Sequence, residues 1–448
     1  MKFGLFYEHQ LPQPWEEGSE LHLYQQALEQ VETADRLGID YVWEVEHHFL
    51  EEYSHSSAPE VFLAACSQRT KRIRLGHGIT LMPPRYNHPA RVAERIAALD
   101  LVSQGRVDWG TGESATALEL EGFGIDATEK NAMWQEATEQ AANMLVMRPY
   151  PGYRGRYFEM PCRNLVPKSV QKPHPPMWVA CSRRETIHRA ARHGLGALTF
   201  AFVEPEQAAH WVTEYYDIIK SSDCVPIGHA VNANVAIVSG MSCHPDEQEA
   251  IRRGLDGFRF FGYALGYVGI YGQHRPGVSD VWAKFLEVRD SLPDNAGRGG
   301  IGTPDQVAAH LSRYEKVGID QVIFVQQSGK NKHEHICESL EIFAERVLPE
   351  FRERDRIREE TKQRELARAI EAALARKPRM PPIDPANIPE VVSFGQRAKV
   401  AAVTPDSVSD RGGAISIPRE DPHAARHRSV VGTDATGVQG MRGQNTEQ

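Results

Sequence analysis

The feature that most constrains this sequence is a regular alternation of strand-like and helix-like runs. Eight apolar or β-branched runs are each followed by a stretch with apolar residues at helical spacing. The predicted strands are Lys2–Tyr7, Tyr41–Glu46, Arg74–Leu81, Val107–Gly112, Met177–Ala180, Ala197–Ala201, Ala230–Val238 and Gln321–Val325. The predicted helices are Ser19–Leu37, Ala58–Arg69, Pro89–Val102, Lys130–Met147, Ser182–His193, Pro205–Ser221, Pro245–Phe260, Pro304–Val317 and His333–Val347. This alternation favours a parallel sheet covered by helices, and eight units predict a closed TIM (β/α)8 barrel, with an open doubly wound sheet as the alternative.

Two long segments interrupt the alternation. Tyr150–Pro176 is rich in proline, arginine and lysine and has no periodic pattern, whereas Tyr263–Gly302 is rich in aromatic residues and glycine. Loops of this length in a compact domain usually serve a function, so both are expected over the mouth of the barrel. The barrel domain is predicted to span residues 1–350, followed by a charged helical extension over 351–377 and a disordered tail over 378–448.

Composition and short motifs exclude several classes of function. A net charge of -9 gives no electrostatic footprint for nucleic acid or an anionic membrane, and no apolar run is long enough to cross a bilayer. The six cysteines are dispersed, which together with an N-terminus lacking a signal peptide predicts a cytoplasmic protein. No metal site is predicted, since no HExxH motif is present. Residues 297–302 satisfy G-x-G-x-x-G, but no strand precedes them, so they are interpreted as a flexible loop.

The second predicted strand ends in titratable residues. Tyr41–Glu46 is apolar and β-branched apart from its glutamates, and His47 and His48 follow it directly. If Trp43 and Val45 face the barrel interior, His47 shares their face at the end of the strand, because side chains alternate along a strand. Catalytic residues of barrels collect at these strand ends, and histidine can exchange protons near neutral pH. The alternative is a pair of histidines satisfied by backbone groups in a loop.

Two turns are candidates for binding a ligand. In the first, a strand runs into a helix with Ser182 at the N-cap, Glu185 three positions later, and Arg183 and Arg184 between them. Free N–H groups and two arginines predict an anion site there, although an ordinary capped helix explains the same pattern. In the second, the strand Val107–Gly112 ends in glycines that permit a ligand to approach the backbone, or that simply form a sharp turn.

Several stretches, taken in order, resemble the bacterial luciferase-like flavin monooxygenases. They are Lys2–Phe6, Glu46–Phe49, Leu75–Leu81, His88–Arg91, Leu99–Val107, Pro173–Ala180 and Gly302–Pro304. Each stretch is weak evidence alone, but together they are specific and cover roughly residues 1 to 350. The resemblance implies a TIM barrel that binds reduced FMN, or in one branch the deazaflavin F420, at its C-terminal mouth.

The resemblance also implies roles for individual residues. His47 matches the histidine beside the reactive C4a position of the flavin, and Gly78, Ile79 and Thr80 match a ledge under the isoalloxazine ring that often contains a non-prolyl cis peptide. Ser182 and Arg183 match phosphate contacts, with Lys130 as a further contact. Gly112 stands where luciferase has a reactive cysteine, and Glu113 stands where it has a phosphate-binding arginine. Glu113 would repel phosphate, and the change at Gly112 argues against light emission from a long-chain aldehyde.

The function that the resemblance implies is monooxygenation through a flavin C4a-hydroperoxide. Reduced FMN would come from a separate NAD(P)H:flavin reductase, and His47 would stabilise or deprotonate the intermediate. The aromatic stretch Phe258–Tyr271 hints at a small apolar organic substrate, and the family implies a homodimer. Two alternatives stay open: an F420-dependent oxidoreductase that transfers hydride on the same barrel, and a flavin-binding protein without catalytic activity.

Overall fold

The structure, a computed structural model, describes residues 1–200, 203–292 and 299–392. Its strands are β1 Lys2–Tyr7, β2 Tyr41–Glu44, β3 Arg74–His77, β4 Thr80–Leu81, β5 Val107–Gly112, β6 Tyr150–Arg154, β7 Glu159–Arg163, β8 Met177–Cys181, β9 Gly196–Thr199, β10 Val235–Ser239, β11 Met241–Cys243, β12 Gly300–Gly302 and β13 Gln321–Gln326. Its helices are α1 Ser19–Leu37, α2 Pro59–Arg69, α3 Pro89–Val102, α4 Ala117–Gly122, α5 Lys130–Val146, α6 Arg184–Arg192, α7 Pro205–Lys220, α8 Glu247–Gly266, α9 Val281–Val288, α10 Pro304–Lys316, α11 His333–Arg346 and α12 Leu348–Arg376. None of these helices has the length and apolar character needed to span a membrane.

The main sheet closes on itself as a parallel barrel. Its strands pair in the circular order β1, β2, β3, β5, β8, β9, β10, β13, and β13 pairs again with β1. Each of these eight strands coincides with one of the predicted strands to within a few residues. The TIM barrel predicted from the alternation is therefore confirmed, and the open sheet is excluded because β1 and β13 are hydrogen-bonded along their whole length.

The barrel interior is filled by aromatic side chains below its mouth. The indole rings of Trp43 and Trp178 meet edge to face with their centroids 5.3 Å apart. Two glycines of neighbouring strands make room for them: a Cβ at Gly76 would come within 2.3 Å of the Trp43 ring, and a Cβ at Gly196 within 2.3 Å of the Trp178 ring. The interior is thus a packed core and not a pore, as is usual for this architecture.

Two of the predicted strands have different bounds in the structure. The run Arg74–Leu81 divides into β3 and β4, because Gly78 N–H donates to the Glu44 carbonyl at 2.6 Å whereas Thr80 pairs with Thr111 on the other side. The run Ala230–Val238 becomes a strand only from Val235. Before it, the Asn232 side chain donates to the Met177 carbonyl at 3.0 Å and the Asn234 side chain donates to Asn232 Oδ1 at 2.6 Å. The end of the predicted strand Ala197–Ala201 lies outside the described residues.

The prediction that Tyr150–Pro176 lacks regular structure and covers the mouth is wrong. The segment contains the antiparallel hairpin of β6 and β7. Its base lies at the end of the barrel opposite the mouth, where Lys168 Nζ donates to the carbonyl of Met144 at the end of α5 and Gln171 bonds to Asp100 at the end of α3. The reason is topological: a segment that follows a helix and precedes a parallel strand begins and ends at the N-terminal face of the barrel.

The second insertion does lie over the mouth, as predicted. Tyr263–Gly302 belongs to the connection that follows β10, and therefore starts from the C-terminal end of a barrel strand. The backbone N–H groups of Val281 and Trp282, at the start of α9, donate to the Glu52 carboxylate at 2.5 and 3.1 Å. The Phe261 ring lies 6.0 Å from the ring of Tyr53. Residues 293–298 of this insertion lie outside the described residues.

The charged helix α12 begins at Leu348 and packs against the barrel. The Phe351 ring meets Phe3 of β1 edge to face at 5.4 Å. On the next turns Arg358 donates to the carbonyl of Ile319 at 2.6 Å, and Lys362 forms an ion pair with Asp320 at 3.0 Å. Met1–Ile383 form one compact unit. The predicted boundary near 350 stays a prediction, and residues 393–448 of the predicted tail lie outside the described residues.

Candidate active site

His47 projects into the barrel mouth above Trp43 and Val45, which are both buried in the interior cluster. Its side chain is 23% exposed, so one edge of the imidazole is open to the mouth. The Nδ1 atom lies 3.0 Å from Oε1 of Glu119, on the short helix α4. Burial alone would lower the pKa of His47, but the carboxylates of Glu119 and Glu8 outweigh it and raise the pKa to about 9. The imidazole is therefore a cation at neutral pH.

Glu119 is fully buried and remains ionised. Its Oε1 atom also accepts the His48 N–H at 3.0 Å, while Oε2 accepts the hydroxyls of Ser114 at 2.6 Å and Thr116 at 2.8 Å. Burial favours the neutral acid, but the charge of His47 and these hydrogen bonds lower the pKa of Glu119 to about 2. An ionised acceptor requires Nδ1 of His47 to carry a proton, so Nε2 is the nitrogen left to face the mouth.

A second carboxylate approaches His47 from the end of β1. Oε2 of Glu8 lies 3.6 Å from Nε2 of His47, which is longer than a hydrogen bond. The other oxygen of Glu8 accepts the hydroxyl of Tyr53 at 2.8 Å. Burial raises the pKa of Glu8 to about 7, against the opposing effects of His47 and Tyr53. His47 thus lies between one firmly ionised carboxylate and one that titrates near neutrality.

The neighbouring histidine belongs to a different environment. His48 contacts Glu46 through Nε2 at 3.4 Å and meets the ring of Phe123 at 4.9 Å. Glu46 in turn accepts the Leu81 N–H at 2.7 Å and the amide of Asn87 at 2.8 Å. This network fixes the chain where β2 leaves the barrel, so the two adjacent histidines have separate surroundings.

The predicted flavin ledge lies between β3 and β4. Gly78 and Ile79 join these strands, and Thr80 carries a buried hydroxyl with no hydrogen-bond partner in the described residues. A Cβ at Gly112 would come within 2.4 Å of the Ile79 side chain, so the missing side chain makes room for Ile79. The expected non-prolyl cis peptide is absent here: the four cis bonds of the described residues all precede proline, and the Gly78–Ile79 bond is not one of them.

The predicted capping box at Ser182 is wrong in detail. Helix α6 begins at Arg184, and its N-cap is Arg183. The hydroxyl of Thr186, three residues after the cap, accepts the N–H groups of Ser182 and Arg183, both at 3.1 Å. Glu185 is not the capping partner, because the helix begins one residue later than predicted. The side chains of Ser182 and Arg183 are exposed at the end of β8.

A cluster of cations lies beside this turn. Lys130 at the start of α5 donates to the Ser114 carbonyl at 2.5 Å, and burial lowers its pKa, with Arg183 and Arg189 adding to the effect and Glu113 opposing it. Arg189 lies 3.4 Å from Glu113 and stacks over Trp134. Its Nε is buried with no hydrogen-bond partner in the described residues. We call Lys130, Arg183, Arg189 and Glu113 the anion cluster.

Three residues of this site were not identified from the sequence. Glu8 directly follows a predicted strand, a position that could have indicated it. Glu119 lies three residues after Thr116, the N-cap of α4, and this capping-box spacing could have indicated the helix start but not the contact with His47. Arg189 lies one and a half turns inside α6, where solvated arginines are common. Within the described ranges, no group of three or more His, Cys, Asp or Glu side chains is arranged to hold a metal ion.

Comparison with known proteins identifies the family. The profile of luciferase-like monooxygenases matches residues 1–321, which include every strand of the barrel up to the start of β13. The chain belongs to the luciferase-like monooxygenase family. The resemblance predicted from the sequence is therefore confirmed.

Several relatives of this chain are named as monooxygenases. The oxygenase component of flavin-dependent trigonelline monooxygenase from Acinetobacter baylyi is 23% identical over 79% of this chain and 96% of that protein. Limonene 1,2-monooxygenase from Rhodococcus erythropolis is 28% identical over 73% of this chain and 81% of that protein. A higher identity of 34% links the chain to protein y4wF of Sinorhizobium fredii, over 43% of this chain and 54% of that protein. This chain thus spans only about half the length of that uncharacterised relative.

Solved structures share the fold. Monooxygenase RslO1 from Streptomyces bottropensis superposes with a TM-score of 0.65 at 27% identity, covering 78% of this chain and all of that protein. The oxygenating constituent of 3,6-diketocamphane monooxygenase from Pseudomonas putida, in complex with FMN, gives 0.61 at 18% identity over 78% and 98% of the two chains. The F420-dependent tetrahydromethanopterin reductase of Methanopyrus kandleri gives 0.58 at 19% over 78% and 99%. The likeness to the last two, both under 25% identical, shows the shared fold.

Proposed function

We propose that this protein is a flavin-dependent monooxygenase that uses reduced FMN and dioxygen to oxygenate a small apolar organic substrate. The observation that carries the proposal is His47, held as a cation at the barrel mouth by Glu119 and open on its Nε2 side. A positively charged hydrogen-bond donor at this place stabilises negative charge that develops on oxygen. Relatives named as monooxygenases agree with this chemistry.

The residues at the mouth fit FMN. The anion cluster places three cations against the single carboxylate of Glu113, and the partnerless Nε of Arg189 is a donor that a phosphate can satisfy. In this arrangement Lys130, Arg183 and Arg189 hold the phosphate, with Ser182 beside them. Gly78, Ile79 and Thr80 form the ledge for the ring system, and Gly112 supports it by accommodating Ile79. Reduced FMN supplies the electrons that activate dioxygen.

The protein's own side chains have three roles: they orient His47, supply a proton and exclude water from the site. Glu119 fixes the imidazole of His47 through Nδ1, which directs the Nε2–H bond into the mouth. With its pKa raised to about 9, His47 acts as a hydrogen-bond donor and acid at neutral pH, and not as the base that the sequence left open. The insertion over the mouth is hydrogen-bonded to Glu52 and lies against Tyr53. In this position it reduces the access of water to the site.

The partners follow from the same proposal. One relative is named as an oxygenase component, which supports a separate reductase that supplies reduced flavin. The homodimer and the cytoplasmic location stay predictions.

The test is an anaerobic titration of the protein with reduced FMN and with reduced F420, followed by mixing with oxygen. Monooxygenation predicts that reduced FMN binds, and that adding oxygen with an apolar substrate such as limonene or a cyclic ketone gives an oxygenated product. Riboflavin is the matched ligand, because it shares the ring system and lacks the phosphate that the anion cluster binds. Tight binding of reduced F420 with no reaction with oxygen would refute the proposal in favour of the hydride-transferring oxidoreductase.

A further inference from the structure

A buried carboxylate beside His47 has a function that orientation of the imidazole does not explain. Glu8 is 2% exposed, and its Oε2 is buried with no hydrogen-bond partner in the described residues. A buried carboxylate oxygen without a hydrogen bond is costly, and the ion pair with His47 compensates it only when Glu8 is ionised. This oxygen is directed at Nε2 of His47, at 3.6 Å. Nε2 is the same ring nitrogen that faces the mouth.

The two carboxylates around His47 have different surroundings. Glu119 receives four hydrogen bonds, which commit it to the ionised form and to holding Nδ1. Glu8 receives one, from the hydroxyl of Tyr53. Two acids whose surroundings separate them in this way divide their roles between a fixed charge and a proton carrier. Glu119 is the fixed charge.

We propose that Glu8 is the proton-exchange partner of His47, returning a proton to Nε2 each time His47 has given one up at the mouth. In this step the O–H bond of the Glu8 carboxylic acid breaks and the Nε2–H bond of neutral His47 forms, which leaves a Glu8 carboxylate and an imidazolium. A proton from the bulk solvent then restores the Glu8 carboxylic acid. No electrons are transferred. This inference rests on the proposed function, because the proton is lost at the site where oxygen reacts.

The local chemistry supports this direction of transfer. Burial raises the pKa of Glu8 to about 7, so near neutral pH this carboxyl holds a proton part of the time, whereas the neighbouring carboxylates raise the pKa of His47 to about 9 and favour its charged form. The oxygen and nitrogen need to approach by less than about 1 Å to reach hydrogen-bond distance. The groups that face the pair are Tyr53, His9, Glu44, Glu46 and Glu119, and only the first of these donates to Glu8.

The first test needs no cofactor. The ring nitrogens of His47 are titrated by NMR in the full-length protein, in wild type and in Glu8→Gln, which keeps the acceptor for Tyr53 but cannot exchange a proton. Glu8→Gln is expected to lower the midpoint of His47 by about one pH unit and to remove the second inflection that Glu8 adds. Glu20→Gln, at an exposed ion pair with His55, is the matched control and leaves the midpoint unchanged.

Turnover with reduced FMN is the second test. Glu8→Gln is expected to retain its affinity for reduced FMN and to lose about tenfold or more in turnover, and formic acid is expected to restore part of the rate in Glu8→Ala. Tyr53→Phe, which keeps the carboxylate, is expected to shift the profile of rate against pH upwards, because the hydroxyl that lowers the pKa of Glu8 is gone. Tyr53→Phe also tests the proposal if Glu8→Gln does not fold.

An unchanged His47 midpoint in Glu8→Gln would overturn the proposal, and so would an unchanged rate and pH profile. If wild type does not react reduced FMN with oxygen, the proposed function fails. The titration in the cofactor-free protein then still decides whether Glu8 and His47 titrate as a coupled pair, which proton exchange between them requires.

Discussion

Glu119 accepts a hydrogen bond from Nδ1 of His47 at 3.0 Å, although 72 residues separate them in the sequence. The contact joins the end of β2 to the short helix that follows β5, so it forms only when β2, β3 and β5 are assembled side by side. The pair makes the folding of the barrel and the charge of the candidate catalytic residue depend on each other.

Glu119→Gln is expected to destabilise the protein by roughly 2–3 kcal/mol near pH 6, because it removes the carboxylate that compensates a buried cation. His47 has a pKa raised from 6.5 to about 9 in the folded state, so its stabilising effect is complete below 6.5 and is lost as the pH rises through 9. Glu119 has a pKa lowered from 4.5 to about 2, so the effect is lost again as the pH falls from 4.5 to 2. Urea unfolding of both proteins across this range measures the difference. A difference in stability that does not shrink at alkaline pH would contradict the pairing.

His47→Ala is expected to retain binding of reduced FMN within about threefold and to lose product formation by about 100-fold or more, as expected for a lost proton donor. Oxygen that is consumed should then appear as hydrogen peroxide. His55→Ala is a suitable control, because His55 pairs with the exposed carboxylate of Glu20. Product yield per oxygen consumed is the measurement, and an unchanged yield in His47→Ala would refute the role of His47.

The anion cluster predicts opposite effects for its two kinds of charge. Arg189→Gln is expected to weaken FMN about tenfold or more, since it removes a charged donor to phosphate. Glu113→Gln is expected to tighten FMN by a few fold, because the competing carboxylate 3.4 Å from Arg189 is neutralised. Arg184 lies on the same helix but is paired with Glu214, so Arg184→Gln is expected to leave the affinity for FMN unchanged. Fluorescence titration measures each constant, and riboflavin should bind all four proteins with the same affinity if phosphate is what the cluster recognises.

A chain ending at Ile383 is expected to keep the thermal stability of the full protein, whereas a chain ending at Val347 should lose it. The longer version retains α12, whose Phe351 packs on Phe3 and whose Arg358 and Lys362 bond to the turn before β13. Burying one aromatic side chain alone contributes about 2 kcal/mol. Differential scanning calorimetry compares the three proteins. Equal melting temperatures would mean that α12 is dispensable and that the domain ends near residue 350.

The sequence predicts the barrel fold better than it predicts the contacts of the candidate active site. Strand and helix periods are local signals, so eight strands and the position of His47 at the end of β2 follow from the pattern. Contacts such as Glu119 with His47, or Arg189 with Glu113, join residues far apart in the chain, and no spacing rule reports them. The position of Tyr150–Pro176 was predictable from topology, since it follows a helix, but its composition suggested a mouth loop. The pattern predicted Ser182 as the N-cap of α6, one residue before the observed N-cap Arg183. The reason is that Ser182 and Glu185 have the capping-box spacing, as do Arg183 and Thr186.

The tryptophan pair at the centre of the barrel has a kinetic consequence. Trp43 and Trp178, with Gly76 and Gly196 against their rings, close the barrel from below. Because the barrel interior below His47 is packed, cofactor and substrate share one entrance to this site, from the mouth beneath the insertion that Glu52 holds. Two molecules that share one entrance cannot exchange places, so the one that lies deeper has to arrive first and depart last. A compulsory order of binding for cofactor and substrate is therefore built into the closed floor of the barrel.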